Sequence, residues 1–408
     1  MTRGSDGASA LADLAGRAVG EALHHLNVGV ELPVDVLTHA FKSILNSPPG
    51  HSRDAQLGAL LSGLMVRGPS ADQVTGLIQT ALSVDRPQPI QVDLPPGERL
   101  VCVAGSGKKG VKTLNVSTLA CIIAASLGAY VAKPVSRSTS SVSGSADFAT
   151  CAGIHVGTVA DSVHALKTTG LGLFSIENLV PGFDSVYGQR MFGPSPLSFA
   201  LPAVLCPVEP DCLLYGLSHP NVGLSLEVFE RLGYNDVMVV TSSDDGVHFI
   251  DELGMFERNF VGGRRNGFTG SVTRFNPLAE LGLPPYRVTD IKSAATMQEN
   301  VDLGIRVLEG KVAGAPRDVV AINAATILCL AGKVEDRREG YYRALDAISS
   351  GLAKYKLASC QIRSNPGSDF LSLMAAARLE NDMETLTGKR GKRVVKRLKE
   401  AAVRWGSS

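Results

Sequence analysis

The sequence has almost no charge imbalance. Forty Lys and Arg stand against 39 Asp and Glu, a formal net charge of +1. Bulk electrostatics therefore single out no nucleic-acid, membrane or acidic partner. Close cysteine pairs are missing too. The seven cysteines (102, 121, 151, 206, 212, 329 and 360) are scattered, mostly in apolar runs. An odd count without pairing argues against a disulfide framework or a zinc site, and for reduced thiols in a cytoplasmic setting. No apolar run reaches the roughly 20 residues of a membrane span. The first residues, MTRGSDGASALADLAGRAVG, hold acids and no compact apolar core, so they do not read as a signal peptide. What is present is a 408-residue chain, 44% hydrophobic, ample for one large domain or two intimate ones.

The most informative stretch is 101–147. Val101 to Ala104 reads as a buried strand, followed by the loop Gly105-Ser106-Gly107-Lys108-Lys109-Gly110. Asn115-Val116-Ser117-Thr118 then leads into an apolar helical run, Leu119 to Leu127, with Asn115 as the N-cap candidate. Glycines let a backbone approach an oxyanion, and the free N–H groups of a first helical turn point at it. A second loop repeats the arrangement. Tyr130 to Ala132 reads as a strand, and Lys133 and Arg137 frame the hydroxyl-rich run from Ser136 to Ser145, with Asp147 opening the next helix. Two such loops suit a ligand with two separated phosphate groups. The alternative is a solvated Ser/Gly linker, which would not need apolar elements on both sides.

Around this stretch the pattern divides. Residues 1–30 are an extension without an assigned role. Residues 31–88 read as a helical domain, to which about 178–200 also contribute. Residues 97–384 read as an α/β domain, and 385–408 as a basic tail. Helices are expected over 33–47 and 54–84, with a restart at Pro69-Ser70-Ala71-Asp72 and Ser70 as cap. These amphipathic helices are either ordinary core or a dimer surface. After the Pro- and Asp-rich hinge 86–96, strands near 171–176, 212–217 and 237–241 alternate with helices near 146–152, 159–168, 297–310, 315–332, 336–355 and 366–381. Alternation of this kind predicts an α/β fold: a small helical N-terminal domain plus a larger, mostly parallel sheet domain flanked by helices. Binding loops then lie at the strand C-terminal ends. Ser218-His219-Pro220 reads as a helix start, with Ser218 as cap and His219 structural rather than catalytic. Residues 256–274 read as a basic hairpin, and Asn323 as a structural residue. The tail holds eight basic residues between Lys389 and Arg404 against one acid, Glu400. It is either a solvated end or a helix that docks on nucleic acid or an acidic partner.

GSGKK, NVST, KPVSR and SSVSGSAD, at their spacing from Gly105 to Asp147, resemble the GTGGD, NxST, KHGNR and SSxSGSAD of the anthranilate phosphoribosyltransferase-like family, glycosyltransferase family 3, whose relatives include pyrimidine nucleoside phosphorylases. Fainter similarity runs from about residue 35 to about 382. The resemblance implies phosphoribosyl diphosphate (PRPP) as ligand. Gly105, Ser106, Gly107, Asn115, Ser117, Thr118 and Lys133 would hold its diphosphate, with Arg137, Ser141 and Ser145 around the sugar-phosphate side. It also implies a magnesium ion, with Ser117, Asp244 and Asp245 as candidate ligands, and a homodimer through the N-terminal helices. Adjacent carboxylates at a strand end suit a hard cation but are also ordinary turn residues.

The departures bear on the substrate. The family's GlyAsp is Lys108-Lys109 here, and its acceptor-placing His and Asn are Pro134 and Ser136. Arg190 is the nearest match to a basic acceptor contact, or else a surface arginine. Lys108 and Lys109 are expected to take over part of the metal's role at the diphosphate. One charge pair about 4 Å apart is worth roughly 4 kcal/mol at an effective dielectric of ~20. Three readings follow. The first is a phosphoribosyltransferase acting on an amine or heterocycle acceptor, either anthranilate or another. The second is a nucleoside phosphorylase. The third is a non-catalytic nucleic-acid-binding relative.

Overall fold

The structure, a computed structural model, describes residues 5–138 and 142–363. The expected helix 366–381 and the basic tail lie outside the described residues, as does Ser141.

Four helices come first: α1 (Ser5–Val28), α2 (Val34–Leu45), α3 (His51–Arg67) and α4 (Ala71–Leu82). The break between α3 and α4 falls at Gly68–Ser70. Ser70 caps α4 through a capping box: its hydroxyl accepts from Gln73 N at 3.2 Å, and the Gln73 side chain accepts from Ser70 N at 2.9 Å.

The rest of the chain builds one sheet. Its strands are β1 (Leu100–Gly105), β2 (Tyr130–Val135), β3 (Leu171–Ser175), β4 (Cys212–Gly216), β5 (Val237–Ser243), β6 (Arg258–Arg265), β7 (Phe268–Thr269) and β8 (Thr273–Arg274). The order is β3-β2-β1-β4-β5-β6-β7, with β8 also on β6. The first five strands are mutually parallel, and β6 to β8 close one edge antiparallel. The hairpin expected within 256–274 forms, turning at Asn266 and Gly267, both with positive φ. Its residues do not line the cavity described below.

The two-residue period of the strands divides the core. Val101 and Val103 of β1 and Leu214 of β4 face one apolar cluster; Cys102, Ala104, Leu213 and Tyr215 face another. The helices that follow the first three strands are α5 (Val116–Ser126), α6 (Ser145–Cys151), α7 (Val159–Thr169), α8 (Ile176–Leu179) and α9 (Pro181–Tyr187). Next come α10 (Leu201–Val204), α11 (Val222–Arg231) and α12 (Pro277–Leu281). The last are α13 (Met297–Leu308), α14 (Ala315–Leu330), α15 (Arg337–Ser349) and α16 (Leu352–Arg363). The first cluster lies under α5, α14 and α15. Nine of the eleven α5 residues are buried, as its mostly apolar sequence requires. The second cluster joins α2 to α4 with Val180, Phe183, Leu197 and α11.

Two local expectations are corrected. Asn115 sits at the N-cap position of α5, but its side chain makes no cap bond and serves the neighbouring serine loop instead. Ser218 does not cap a helix. The helix starts at Val222, with Asn221 accepting from Leu224 N at 3.1 Å, because Ser218 is bonded back to Ser106. His219 accepts from Asn221 N at 3.1 Å, a structural use, and burial pulls its pKa down.

Candidate active site

A cavity of about 270 Å³ opens at the C-terminal ends of β1, β2 and β3. One end is polar. It is lined by Gly105 to Lys109, Asn115, Ser117, Thr118, Lys133, Ser136, Arg137 and Ser143 to Ser145. The other end is largely apolar: Ile176, Val180, Phe183, Tyr187, Met191, Leu197 and Leu201, together with Glu177 and Asp184.

The polar end is built as two tied loops. Ser106 is buried, and its hydroxyl meets Ser218 Oγ at 2.7 Å and accepts from Ser218 N at 2.8 Å. Gly107 takes a positive φ of 60°. Asn115 Oδ1 accepts from Ser143 Oγ at 2.7 Å and from Asn300 Nδ2 at 2.9 Å, so one asparagine pins the serine loop against the glycine loop. Asp147 holds that loop open by accepting from Ser138 N and Gly144 N, both at 2.8 Å. Ser145 Oγ accepts from Ser136 N at 3.2 Å. Lys133, buried in β2, reaches Ser117 Oγ at 3.2 Å. Thr118 Oγ1 is buried on the cavity wall with no hydrogen-bond partner among the described residues, a hydroxyl suited to a ligand oxygen.

Both lysines of the glycine loop are engaged. Lys108 adopts φ 55°, and its ammonium sits 4.1 Å from the Tyr187 ring centroid, donating to the Tyr187 hydroxyl. Lys109 turns inward. Its Nζ lies 2.7 and 2.8 Å from the two Glu252 oxygens, 3.0 Å from Asp251 Oδ1 and 2.9 Å from Thr113 Oγ1. Asp251 Oδ2 in turn accepts from Gly107 N at 2.9 Å. A Cβ on Gly105 would stand 2.4 Å from that same oxygen, so only glycine fits there. Burial lowers the affinity of Lys109 for its proton, but the two carboxylates outweigh it and hold the ammonium above the ordinary lysine value. Burial and the charge of Asp251 push Glu252 up to about 8. Asp251 stays below the usual carboxylate value despite its burial, because Lys109 faces it.

The sequence reading missed Asp251 and Glu252. They form an adjacent acidic pair lining the cavity, whereas Asp244 and Asp245 do not line it. Asp245 closes the turn after β5, accepting from Val247 N and His248 N at 2.8 Å and pairing with His248 Nδ1 at 2.6 Å. These bonds, that of His248 first, hold its carboxyl well below the usual range. Asp244 accepts from Val288 N at 2.8 Å. The signal for the cavity-lining pair was the Asp-Glu dipeptide six residues further on; the nearer acids bond turn and loop backbone. Asn323, on α14, fixes that dipeptide by bonding both Leu253 N and Leu253 O.

The acceptor candidates separate. Pro134 and Ser136 line the cavity. Arg190 does not: its guanidinium pairs with Asp54 of α3 at 3.2 Å and donates to Gly188 O at 2.9 Å. Arg137 is mostly exposed and lies 3.9 Å from Glu177. The sequence also gave no warning of Phe183 and Tyr187, stacked with centroids 5.3 Å apart on the apolar wall.

Residues 97–354 match the α/β domain of a glycosyl transferase family. An anthranilate phosphoribosyltransferase from Verminephrobacter eiseniae is 30% identical over 334 residues, covering 81% of this chain and 93% of that protein. One from a Marinomonas species is 32% identical over 314 residues, covering 76% and 87%. Among solved structures, the Thermus thermophilus anthranilate phosphoribosyltransferase superposes with a TM-score of 0.68 at 24% identity, covering 84% of this chain and 99% of that one. The Saccharomyces cerevisiae enzyme in complex with PRPP and Mg gives a TM-score of 0.69 at 18% identity, covering 85% and 97%. These superpositions show the shared fold. With its α/β domain and curated relatives agreeing, the chain belongs to this glycosyl transferase family as an anthranilate phosphoribosyltransferase-like member, a pentosyltransferase.

Proposed function

We propose that the chain transfers the 5-phosphoribosyl group of PRPP to an amine or N-heterocycle acceptor other than anthranilate, releasing diphosphate. The observation that carries this reading is the two-ended cavity: backbone N–H groups, hydroxyls and lysines at one end, stacked aromatic and aliphatic walls at the other. A charged donor and a planar acceptor meet where the two ends join.

In the reaction the C1–O bond to diphosphate breaks and its electron pair leaves with the diphosphate. The acceptor nitrogen forms the new bond at C1 from the opposite face. Charge builds on the leaving group, so positioned donors do most of the work. The N–H groups of Lys108 and Lys109, the Thr118 hydroxyl and Lys133 line the cavity and would supply them, since Ser106 N and Gly107 N are already bonded to Gly216 O and Asp251 Oδ2. Magnesium, which the yeast relative holds with PRPP, would arrive here as a counter-ion of the diphosphate and neutralise part of its charge. Of the metal ligands expected from sequence, Ser117 alone lines the cavity, and it would offer such an ion a hydroxyl oxygen. At the acceptor end the Asp184 carboxyl, unlike its backbone, has no hydrogen-bond partner among the described residues, and burial and then the Glu177 charge raise its pKa. It is placed to accept the proton released by the acceptor nitrogen. Arg190 is committed to Asp54, and two carboxylates stand at this end, which disfavours an acceptor carrying its own carboxylate.

The test is calorimetric titration with PRPP, followed by a diphosphate-release assay over aromatic amines, N-heterocycles and anthranilate. The expected result is PRPP binding, with release driven best by an acceptor lacking a carboxylate. Failure to bind PRPP with or without magnesium would overturn the reading; anthranilate as the best substrate would overturn its acceptor half.

A further inference from the structure

Burying two adjacent carboxylates is costly unless a cation sits between them. The side chains of Asp251 and Glu252 are only 8% and 3% exposed, at the inner wall of the cavity. An acidic pair in such a place is suited to a divalent metal with oxygen ligands. In this chain the cation is already there. An ammonium has three N–H donors; those of Lys109 reach both Glu252 oxygens and Thr113 Oγ1, and its charge stands 3.0 Å from Asp251 Oδ1, an oxygen with no hydrogen bond of its own among the described residues. The Lys109 charge thus stands within ion-pair distance of both carboxyl groups of the pair.

We propose that the Lys109 ammonium is the resident cation of the Asp251–Glu252 pair, closing this acidic site to divalent metal. The tether does a second job. Through Asp251, which accepts from Gly107 N, the same ammonium sets the shape of the glycine loop. A divalent ion bound at the pair would leave when chelated, and the loop would lose its anchor; a lysine stays. Metal then enters only with the diphosphate, a consequence that rests on the PRPP reading. The site assignment itself does not.

The experiment is a manganese titration of the full chain without PRPP, read by the loss of free Mn2+ signal in electron paramagnetic resonance. Wild type should take up no Mn2+ at the pair. Lys109→Ala should gain one site binding at least about tenfold tighter than anything in wild type, and Asp251→Asn in that background should abolish it. Uptake by wild type that Asp251→Asn removes would overturn the inference, as would a folded Lys109→Ala that gains no site. Wild-type uptake that Asp251→Asn leaves unchanged lies elsewhere and agrees with a closed pair. If Lys109→Ala does not fold in metal-free buffer, recovery of soluble protein with Mn2+ supports the inference. If it folds in neither, the wild-type and Asp251→Asn titrations decide alone. Because PRPP is absent throughout, failure here is distinct from failure of the transferase reading.

Discussion

At the scale of single residues, the site depends on where protons sit. Burial and then the charge of Asp251 raise the Glu252 carboxyl from an ordinary 4.5 to about 8, with Lys109 pulling the other way. Between those values the folded state binds more protons than the unfolded state. The contribution of Glu252 to stability is therefore full below about pH 4 and is lost as the pH rises towards 8. Asp251 acts in the opposite sense, since Lys109 holds its carboxyl down and its contribution is lost on acidification. The glutamate part can be isolated by substitution. Glu252→Gln should flatten the fall in melting temperature between about pH 5 and 8 relative to wild type. Parallel melting curves for the two proteins across that range would rule out a titrating Glu252. Gly105 belongs at this scale too. The sequence showed a glycine, but not that the atom excluding a side chain is Asp251 Oδ2.

At the scale of elements, the cavity is held by helices that never touch its contents. Asn323 on α14 accepts from Leu253 N at 3.1 Å and donates to Leu253 O at 2.9 Å and Val319 O at 2.8 Å. These bonds fix the chain immediately after the acidic pair. Asn323→Ala would leave two buried backbone groups of Leu253 unpaired, a cost of about 2–4 kcal/mol in unfolding free energy. PRPP affinity should fall with it, because Asp251 positions Gly107. Lost stability with wild-type PRPP affinity would confine Asn323 to folding. Asn300 on α13 has the same character: its amide reaches Asn115 Oδ1 and Ser143 Oγ and couples a helix to both loops. The helices themselves were legible in sequence because their apolar spacing is local. Their side-chain partners, 70 to 185 residues away, were not.

At the scale of the whole molecule, the acceptor end lies where helices and sheet share a core. Phe183 and Val180 belong to the same apolar cluster as α2 to α4, while Lys133 and Ser117 stand on the sheet side. Arg190, ion-paired with Asp54, ties the segment after α9 to α3. The two ends of the cavity should therefore respond separately. Phe183→Leu keeps the volume near native and removes the ring that stacks on Tyr187. The acceptor KM should rise about tenfold, and the PRPP dissociation constant should stay within about twofold. A matching loss of PRPP affinity would show that the ends are one unit.

Sequence by itself determined the α/β alternation, the glycine- and serine-rich loops at two strand ends and the family resemblance, because each rests on residues close together in the chain. The run from Gly105 to Asp147 is contiguous, so its chemistry could be read directly. Only the tertiary structure decided which acids line the cavity. Asp244 and Asp245 were nearest to the expected strand end, yet they serve a turn. Asp251 and Glu252 reach the cavity because the chain folds back after β5, with Ser242 and Ile250 exchanging backbone bonds. Lys109 and the acidic pair are separated by more than 140 residues, and their pairing is a property of the packed sheet, not of any local pattern.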